Sequence, residues 1–343
     1  MGVASGGFQE IALTHSCMLW RFATRAAQDC INCTMIARVY KSTGSWYLVK
    51  DSEGNFLNAR IKGKFKIDDI TSTNPIAVGD LVDVVAEPGE DGTWVITVIH
   101  NRKNYINRQS PANRNRHQII ASNIDQSLLV ATLREPRTSQ GFIDRFLVAC
   151  EAYHVPAVIL FNKSDLYRQK EKEMFAAWEQ TYTTIGYRVL SVSTVTGEGI
   201  GELKKILHGK TTLMSGHSGV GKSTLINVLM PDLALRTKAV SGWSGKGMHT
   251  TTFAEMYDLP EGGSIIDTPG VREFGLVDIG KDELSHFFPE MRLRIQGCQF
   301  NNCRHMNEPD CAVKSAVEEG AISIDRYISY CTMLDGISEA HNR

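Results

Sequence analysis

The sequence lacks any apolar run of the roughly 18 residues that a membrane-crossing helix requires. It also lacks a net charge: 37 Lys and Arg stand against 38 Asp and Glu, for a formal balance of −1. A chain this neutral projects no global field toward a polyanion, so any nucleic-acid surface has to be local. The N-terminus has no basic stretch, and Thr14, His15 and Ser16 break up its apolar residues. That argues against a secretory leader and for a cytoplasmic location. There the eight cysteines are expected as thiols unless they bind metal or do redox chemistry. Cys30 and Cys33 have no second CxxC to complete a site and are read as chance spacing. They fall in an N-terminal extension, residues 1–34, of unknown role. The text changes character at Met35, which is a candidate start. Tandem repeats and low-complexity tracts are absent too.

What is present is an ordinary globular composition, 42% hydrophobic and 22% charged over 343 residues. At roughly 100–200 residues per domain, two or three domains are expected. Residues 35–100 hold five short segments rich in β-branched and aromatic residues, IARVY, SWYLVK, NARIKGKF, DLVDVVAE and TWVITVIH. Turn signals separate them, which predicts a small barrel of the OB-fold type, an architecture that often binds oligonucleotides. Residues 101–123 carry Arg102, Lys103, Arg108, Arg114 and Arg116 without an acidic residue. This segment reads as a basic linker suited to RNA phosphates. From 124 to 276 strand-like and helix-like segments alternate, which predicts a mostly parallel sheet covered on both faces. Residues 277–343 turn helical and polar.

Gly216-His217-Ser218-Gly219-Val220-Gly221-Lys222-Ser223 matches the phosphate-binding pattern G-x-x-x-x-G-K-[ST]. It stands between an apolar segment and a helix-like one, followed by Thr224. Glycines let backbone N–H groups wrap phosphates, Lys222 reaches the β/γ-phosphates, and the Ser223 hydroxyl suits Mg²⁺. Asn162-Lys163-Ser164-Asp165 follows a strand-like run and selects guanine. Its Asp165 carboxylate can accept both the N1–H and the exocyclic amine, a pair that adenine does not offer. Ser193-Thr194 matches the degenerate element that supports guanine. Asp267-Thr268-Pro269-Gly270 is a DxxG element, with Asp267 expected at Mg²⁺ and the Gly270 N–H at the γ-phosphate. Between Ser223 and Asp267 lies SGWSGKGMHTTT (241–252), a switch-like segment in which Thr250 or Thr251, with Thr251 preferred, should ligand Mg²⁺.

The order of these motifs is permuted. The guanine elements precede the phosphate loop, where ordinary GTPases place them after it. After the DxxG element the chain runs straight into Cys298-x4-Cys303-x-His305-x5-Cys311. Three thiolates and an imidazole within fourteen residues suit one tetrahedral zinc, and a closed Cys₃His set is structural.

Together these residues resemble the ribosome small-subunit-dependent GTPase A family (RsgA), through GHSGVGKST, HTTT, DTPGVREFGL and C-x4-C-x-H-x5-C over about residues 35–335. The resemblance implies an OB-fold barrel, a circularly permuted P-loop G domain of α/β type and a helical zinc domain. It implies GTP hydrolysis stimulated by the small (30S) ribosomal subunit in late 30S maturation, contact with 16S rRNA, and a monomer. Guanine contacts fall to Asn162, Lys163 and Asp165, and phosphate contacts to Gly216 through Thr224. Many GTPases orient the attacking water with a Gln just after DxxG. Here Val271 stands there, and His249 beside the switch threonines is the candidate replacement. A nucleotide-switched RNA-binding assembly module with negligible turnover is the other reading of the same parts.

Overall fold

Five strands open the described chain, and alternation explains their curl into a barrel. These are β1 (Met35–Ser42), β2 (Trp46–Asp51), β3 (Phe56–Ile61), β4 (Leu81–Ala86) and β5 (Thr93–Ile99). Val39, Tyr47, Val49, Ala59, Val82, Val84 and Ile96 point to one buried cluster. The strand order is β1-β2-β3-β5-β4, and β4 pairs again with β1, which closes the barrel. The β3–β5 pair is parallel and the others are antiparallel, the connectivity of an OB-fold. The computed structural model describes residues 34–61, 75–87, 92–110, 113–232, 254–268 and 279–337, with the side chains of 108–117 also left aside. The expectations for residues 1–33, Arg108, Arg114, Arg116, His249, Thr250, Thr251, Gly270 and Val271 lie outside the described residues.

The basic segment folds as a hairpin, β6 (Tyr105–Ser110) paired antiparallel with β7 (Asn113–Ser122). Arg102 grips buried Asp80 with both ends of its guanidinium fork at 2.7 Å, and Ser122 Oγ donates to the same carboxylate at 2.5 Å. Lys103 pairs with Asp125 at 3.0 Å. Arg102 therefore ties the start of the hairpin to the barrel, and Lys103 ties it to the start of β8.

Next come β8 (Gln126–Ala131), α1 (Gln140–Ala152), β9 (Ala157–Phe161), α2 (Gln169–Thr184), β10 (Arg188–Ser191) and α3 (Ile200–Leu207). They are followed by β11 (Thr211–Ser215), α4 (Lys222–Leu229), β12 (Glu255–Asp258) and β13 (Ser264–Asp267). The spatial order is β10-β9-β8-β11-β13-β12. All are parallel except β12. Side chains alternate between two cores, because successive strand residues face opposite sides. Leu129, Ala131, Ile159 and Phe161 face α1 and α2. Leu128, Val130, Val158 and Leu160 face α3 and α4. Strand β12 also pairs with β1, at Lys41 opposite Glu255, so barrel and sheet are continuous.

The chain then becomes helical, with a turn at Pro289–Arg292, α5 (Ala312–Glu318) and α6 (Ile324–Gly336). Their core of Leu284, Phe288, Met291, Val313, Tyr330 and Met333 takes in Val148 from α1. Among the described residues, no helix is long and apolar enough to cross a membrane.

Candidate functional site

Parallel strands deliver their C-terminal ends to one edge of a sheet, and ligands bind α/β proteins at such edges. Here β11 runs into the loop 216–221 and helix α4, β13 ends on Asp267, β9 leads into 162–165, and β10 leads into Ser193. The motifs read in permuted order thus assemble side by side. The order in space is set by strand pairing, and β11 lies between β8 and β13 whatever the chain order.

Two loop positions require glycine. Gly216 has φ +140°, and a Cβ there would stand 2.3 Å from the Val130 carbonyl oxygen. Gly221 has φ +95°, and a Cβ there would stand 2.4 Å from Asn162 Nδ2. The second close approach admits a hydrogen bond, since Asn162 Nδ2 donates to Val220 O at 2.9 Å. The loops 162–165 and 216–221, joined by residues 58 positions apart, are fastened by that bond. The Asn162 N–H donates to Ala131 O at 2.8 Å, and Asn162 is fully buried.

Asp165 lies in a short 3₁₀ turn, Ser164–Leu166, entered through Lys163 in the left-handed region at φ +65°. Ser193 Oγ donates to Asp165 Oδ1 at 2.6 Å while accepting from the N–H groups of Val195 and Thr196 at 3.2 and 3.1 Å. This anchors the carboxylate to the loop after β10. Ser164 Oγ donates to Glu198 at 3.1 Å. Lys163 Nζ donates to Glu135 O.

At the other end, Lys222 Nζ donates to Gly216 O and, at 3.0 Å, to His217 O. Burial pulls the Lys222 ammonium below the usual lysine range, and the Asp267 charge opposes that pull. Burial likewise raises the Asp267 carboxyl, with Lys222 opposing. Asp267 Oδ1 is buried without a hydrogen-bond partner, as is Asn162 Oδ1. Orphaned buried acceptors need an explanation. An unpaired carboxylate oxygen facing a lysine at the end of β13 fits a divalent cation, so Asp267 and Ser223 suit Mg²⁺. The loop then presents backbone amides and a lysine at a helix N-terminus, an environment built for phosphate.

In the helical part, Cys298, Cys303, His305 and Cys311 bring their ligand atoms within 4.8 Å of one another. Cys311 Sγ lies 3.3 Å and Cys298 Sγ 3.6 Å from His305 Nδ1, and the two sulfurs are 4.0 Å apart. Tetrahedral zinc with Zn–S bonds of about 2.3 Å separates two sulfurs by about 3.8 Å, so the donor set fits such an ion. Burial and the neighbouring thiols push Cys303 up to about 12; a bound cation would lower such a thiol. Tyr327 and Tyr330 donate to the carbonyls of His305 and Arg304 at 2.6 and 2.7 Å and tie the cluster to α6.

Sequence motifs pass over residues 132–139. This loop contacts Lys163 through a carbonyl and His217 through Thr138 Oγ1 at 2.7 Å. Backbone acceptors and a single hydroxyl leave no signature, so only its place after a buried strand could have pointed to it.

Residues 99–277 match the family model described as RsgA GTPase, and residues 37–94 match that of the RsgA N-terminal domain. The chain is 51% identical over 308 residues to the small ribosomal subunit biogenesis GTPase RsgA of Flavobacterium psychrophilum, covering 90% of this chain and 94% of that one. Among solved structures, that of YjeQ from Thermotoga maritima is similar at TM-score 0.72 and 34% identity, over 91% of this chain and 100% of that one. The structure of YloQ, a circularly permuted GTPase, gives TM-score 0.69 and 28% identity, over 91% of this chain and 98% of that one.

Proposed function

The chain belongs to the RsgA GTPase family and hydrolyses GTP, and from that premise we infer that it acts in late maturation of the small ribosomal subunit. Its Flavobacterium psychrophilum relative is named a small ribosomal subunit biogenesis GTPase, which supports the broader role. The small subunit, through its 16S rRNA, is the partner that stimulates turnover, and a monomer works in the cytoplasm. The division of labour follows the chain: barrel 35–100, basic segment 101–123, permuted G domain 124–276, zinc-binding part 277–343. The observation that carries the reading is the bond from Asn162 to Val220. It joins a guanine selector to a phosphate loop, and a GTP site needs both.

In this reading Asn162, Lys163, Ser164 and Asp165 hold the base, and Ser193 and Thr194 support it. Gly216 through Thr224 wrap the phosphates. Lys222 leaves the carbonyls of Gly216 and His217 and donates to the β/γ-phosphate oxygens as charge develops there. The Gly270 N–H faces the γ-phosphate. Ser223, Thr251 and Asp267 would hold Mg²⁺, which when bound neutralises charge on the β- and γ-phosphates. His249 orients the water whose oxygen bonds to the γ-phosphorus as the bond to the GDP oxygen breaks. Cys298, Cys303, His305 and Cys311 hold one structural zinc and take no part in the chemistry.

Two assays test this. Cosedimentation with purified 30S subunits should show binding favoured by a GTP analogue over GDP, and equal binding in both states would contradict it. His249→Ala should lose subunit-stimulated turnover while keeping GTP affinity, and full retention would remove the role given to His249.

A further inference from the structure

The loop after β8 carries no recognised motif, yet it touches both halves of the nucleotide site. Its Glu135 carbonyl accepts from Lys163 on the guanine side. Its Pro136 ring lies against the phosphate loop, 3.3 Å from where a Cβ on Gly219 would stand. Its end is closed by Thr138, which is 1% exposed. The Thr138 N–H donates to Thr132 O at 2.7 Å, and Thr138 Oγ1 accepts from Thr132 N–H at 2.9 Å. The same hydroxyl meets His217 Nε2 at 2.7 Å.

The proton arrangement follows from the partners. His217 Nδ1 lies 3.2 Å from the Ser218 carbonyl, which only accepts, so Nδ1 carries the hydrogen. In the neutral ring Nε2 is then the acceptor, and Thr138 Oγ1 donates to it. One directed chain results, from Thr132 N–H to Thr138 Oγ1 and from Thr138 O–H to His217 Nε2. Phe142, one helical turn on, sets its edge against the imidazole at 5.4 Å. A surface histidine in a phosphate loop has many rotamers, and these contacts select one. The His217 backbone carbonyl is one of the two that accept from Lys222. Fixing the ring therefore fixes the peptide from which the lysine departs.

We propose that Thr138 is a positioning residue for the phosphate-binding loop, acting through the ring of His217. The pair holds the loop in its nucleotide-receiving shape, so binding needs little reordering. The proposal rests on Gly216–Thr224 being the phosphate loop. Nucleotide would then order a loop that is already braced.

The test is GDP affinity, measured by a fluorescent GDP, together with the melting point of the nucleotide-free protein. Thr138→Val removes the hydroxyl at constant shape. His217→Leu removes the Nε2 acceptor, along with the exposed Nδ1–H bond to Ser218 O, and leaves the Thr132–Thr138 bonds in place, which guards against a trivial loss of folding. Each should weaken GDP binding about tenfold, the scale of one hydrogen bond. Acting as a unit, the double variant should also lose about tenfold rather than about a hundredfold. Thr138→Ser should bind within about twofold of the wild type, since the hydroxyl remains. His217→Leu should melt where the wild type does. Unchanged affinity in either single variant overturns the proposal, as does a hundredfold loss in the double variant or an affinity loss that tracks a fall in melting point. A wild-type protein that binds no GDP would instead remove the phosphate-loop reading beneath it.

Discussion

Asp165 and Asp267 are carboxylates at or just beyond the C-terminal ends of two strands of one sheet, β9 and β13, and their surroundings suit them to different tasks. Ser193 fixes one oxygen of Asp165, which orients the other for a donor on the base. Asp165→Asn should therefore cut GTP affinity by about a hundredfold or more, since bonds to a charged group are worth roughly 1.5–3 kcal/mol each. It should also turn preference toward a base with a carbonyl at the amine position, and competition binding with GTP and XTP reads both effects. Asp267 is half-buried, with its Oδ1 buried, and burial raises its carboxyl. A raised acid opposes folding where it is ionised, and that opposition fades as pH falls through its folded pKa. Asp267→Asn should raise the melting point of the nucleotide-free protein at neutral pH, with the gain shrinking toward acid, while GTP turnover collapses. Melting curves across pH beside a GTPase assay would check this. Both acids were legible in the sequence because their motifs name them. Thr138 was not, because a single hydroxyl bonded to a ring and a backbone amide has no spacing rule.

At the scale of elements, binary pattern marked what packs and missed what is polar. β8 and β9 are apolar runs and were plain. The charged helix α2 begins only at Gln169, four residues after Asp165. The guanine loop uses the intervening residues, and the Arg168 N–H bonded to Glu171 starts the helix afterwards. The hairpin β6–β7 read as linker because its Asn, Arg and Gln residues hide the few that pack, Ile106, Ile119 and Ile120. The Cys₃His cluster was legible by spacing alone. Loops holding Cys298, Cys303, His305 and Cys311 have little regular structure of their own, so the ion would supply their order. Cys303→Ser should abolish zinc, measured as metal per chain by mass spectrometry. It should also speed hydrogen exchange in α5 and α6, while GTP affinity, made elsewhere, stays put. A chain that keeps one zinc after that change would contradict the four-ligand set.

Across the whole molecule, three parts meet at the G domain and two joints carry the load. At one, Lys41 pairs with Glu255 at 2.9 Å, and Tyr40 and Lys50 donate to Asp258 at 2.7 and 2.5 Å. These bonds fasten the barrel to β12, the strand beside Asp267. At the other, Arg326 of α6 donates to Asp144 of α1 at 2.8 Å and to both oxygens of Glu290 at 2.7 and 3.1 Å, all three buried. Burial raises the Asp144 carboxyl against the pull of Arg326. Arg326→Ala would strand two buried carboxylates and should cost about 3–5 kcal/mol by urea unfolding, more than Arg326→Lys. Helix α1 thus touches the loop 216–221 through Phe142 and the Cys₃His-bearing part through Asp144. The permuted G domain stands between a barrel at one end and a Cys₃His cluster at the other. The most direct measurement is multiple-turnover GTP hydrolysis with increasing purified 30S subunits. A slow basal rate that climbs and saturates with subunit, uncompeted by excess ATP, is the expected result. A rate indifferent to the subunit, or tight GTP-dependent binding to it without added turnover, would contradict it.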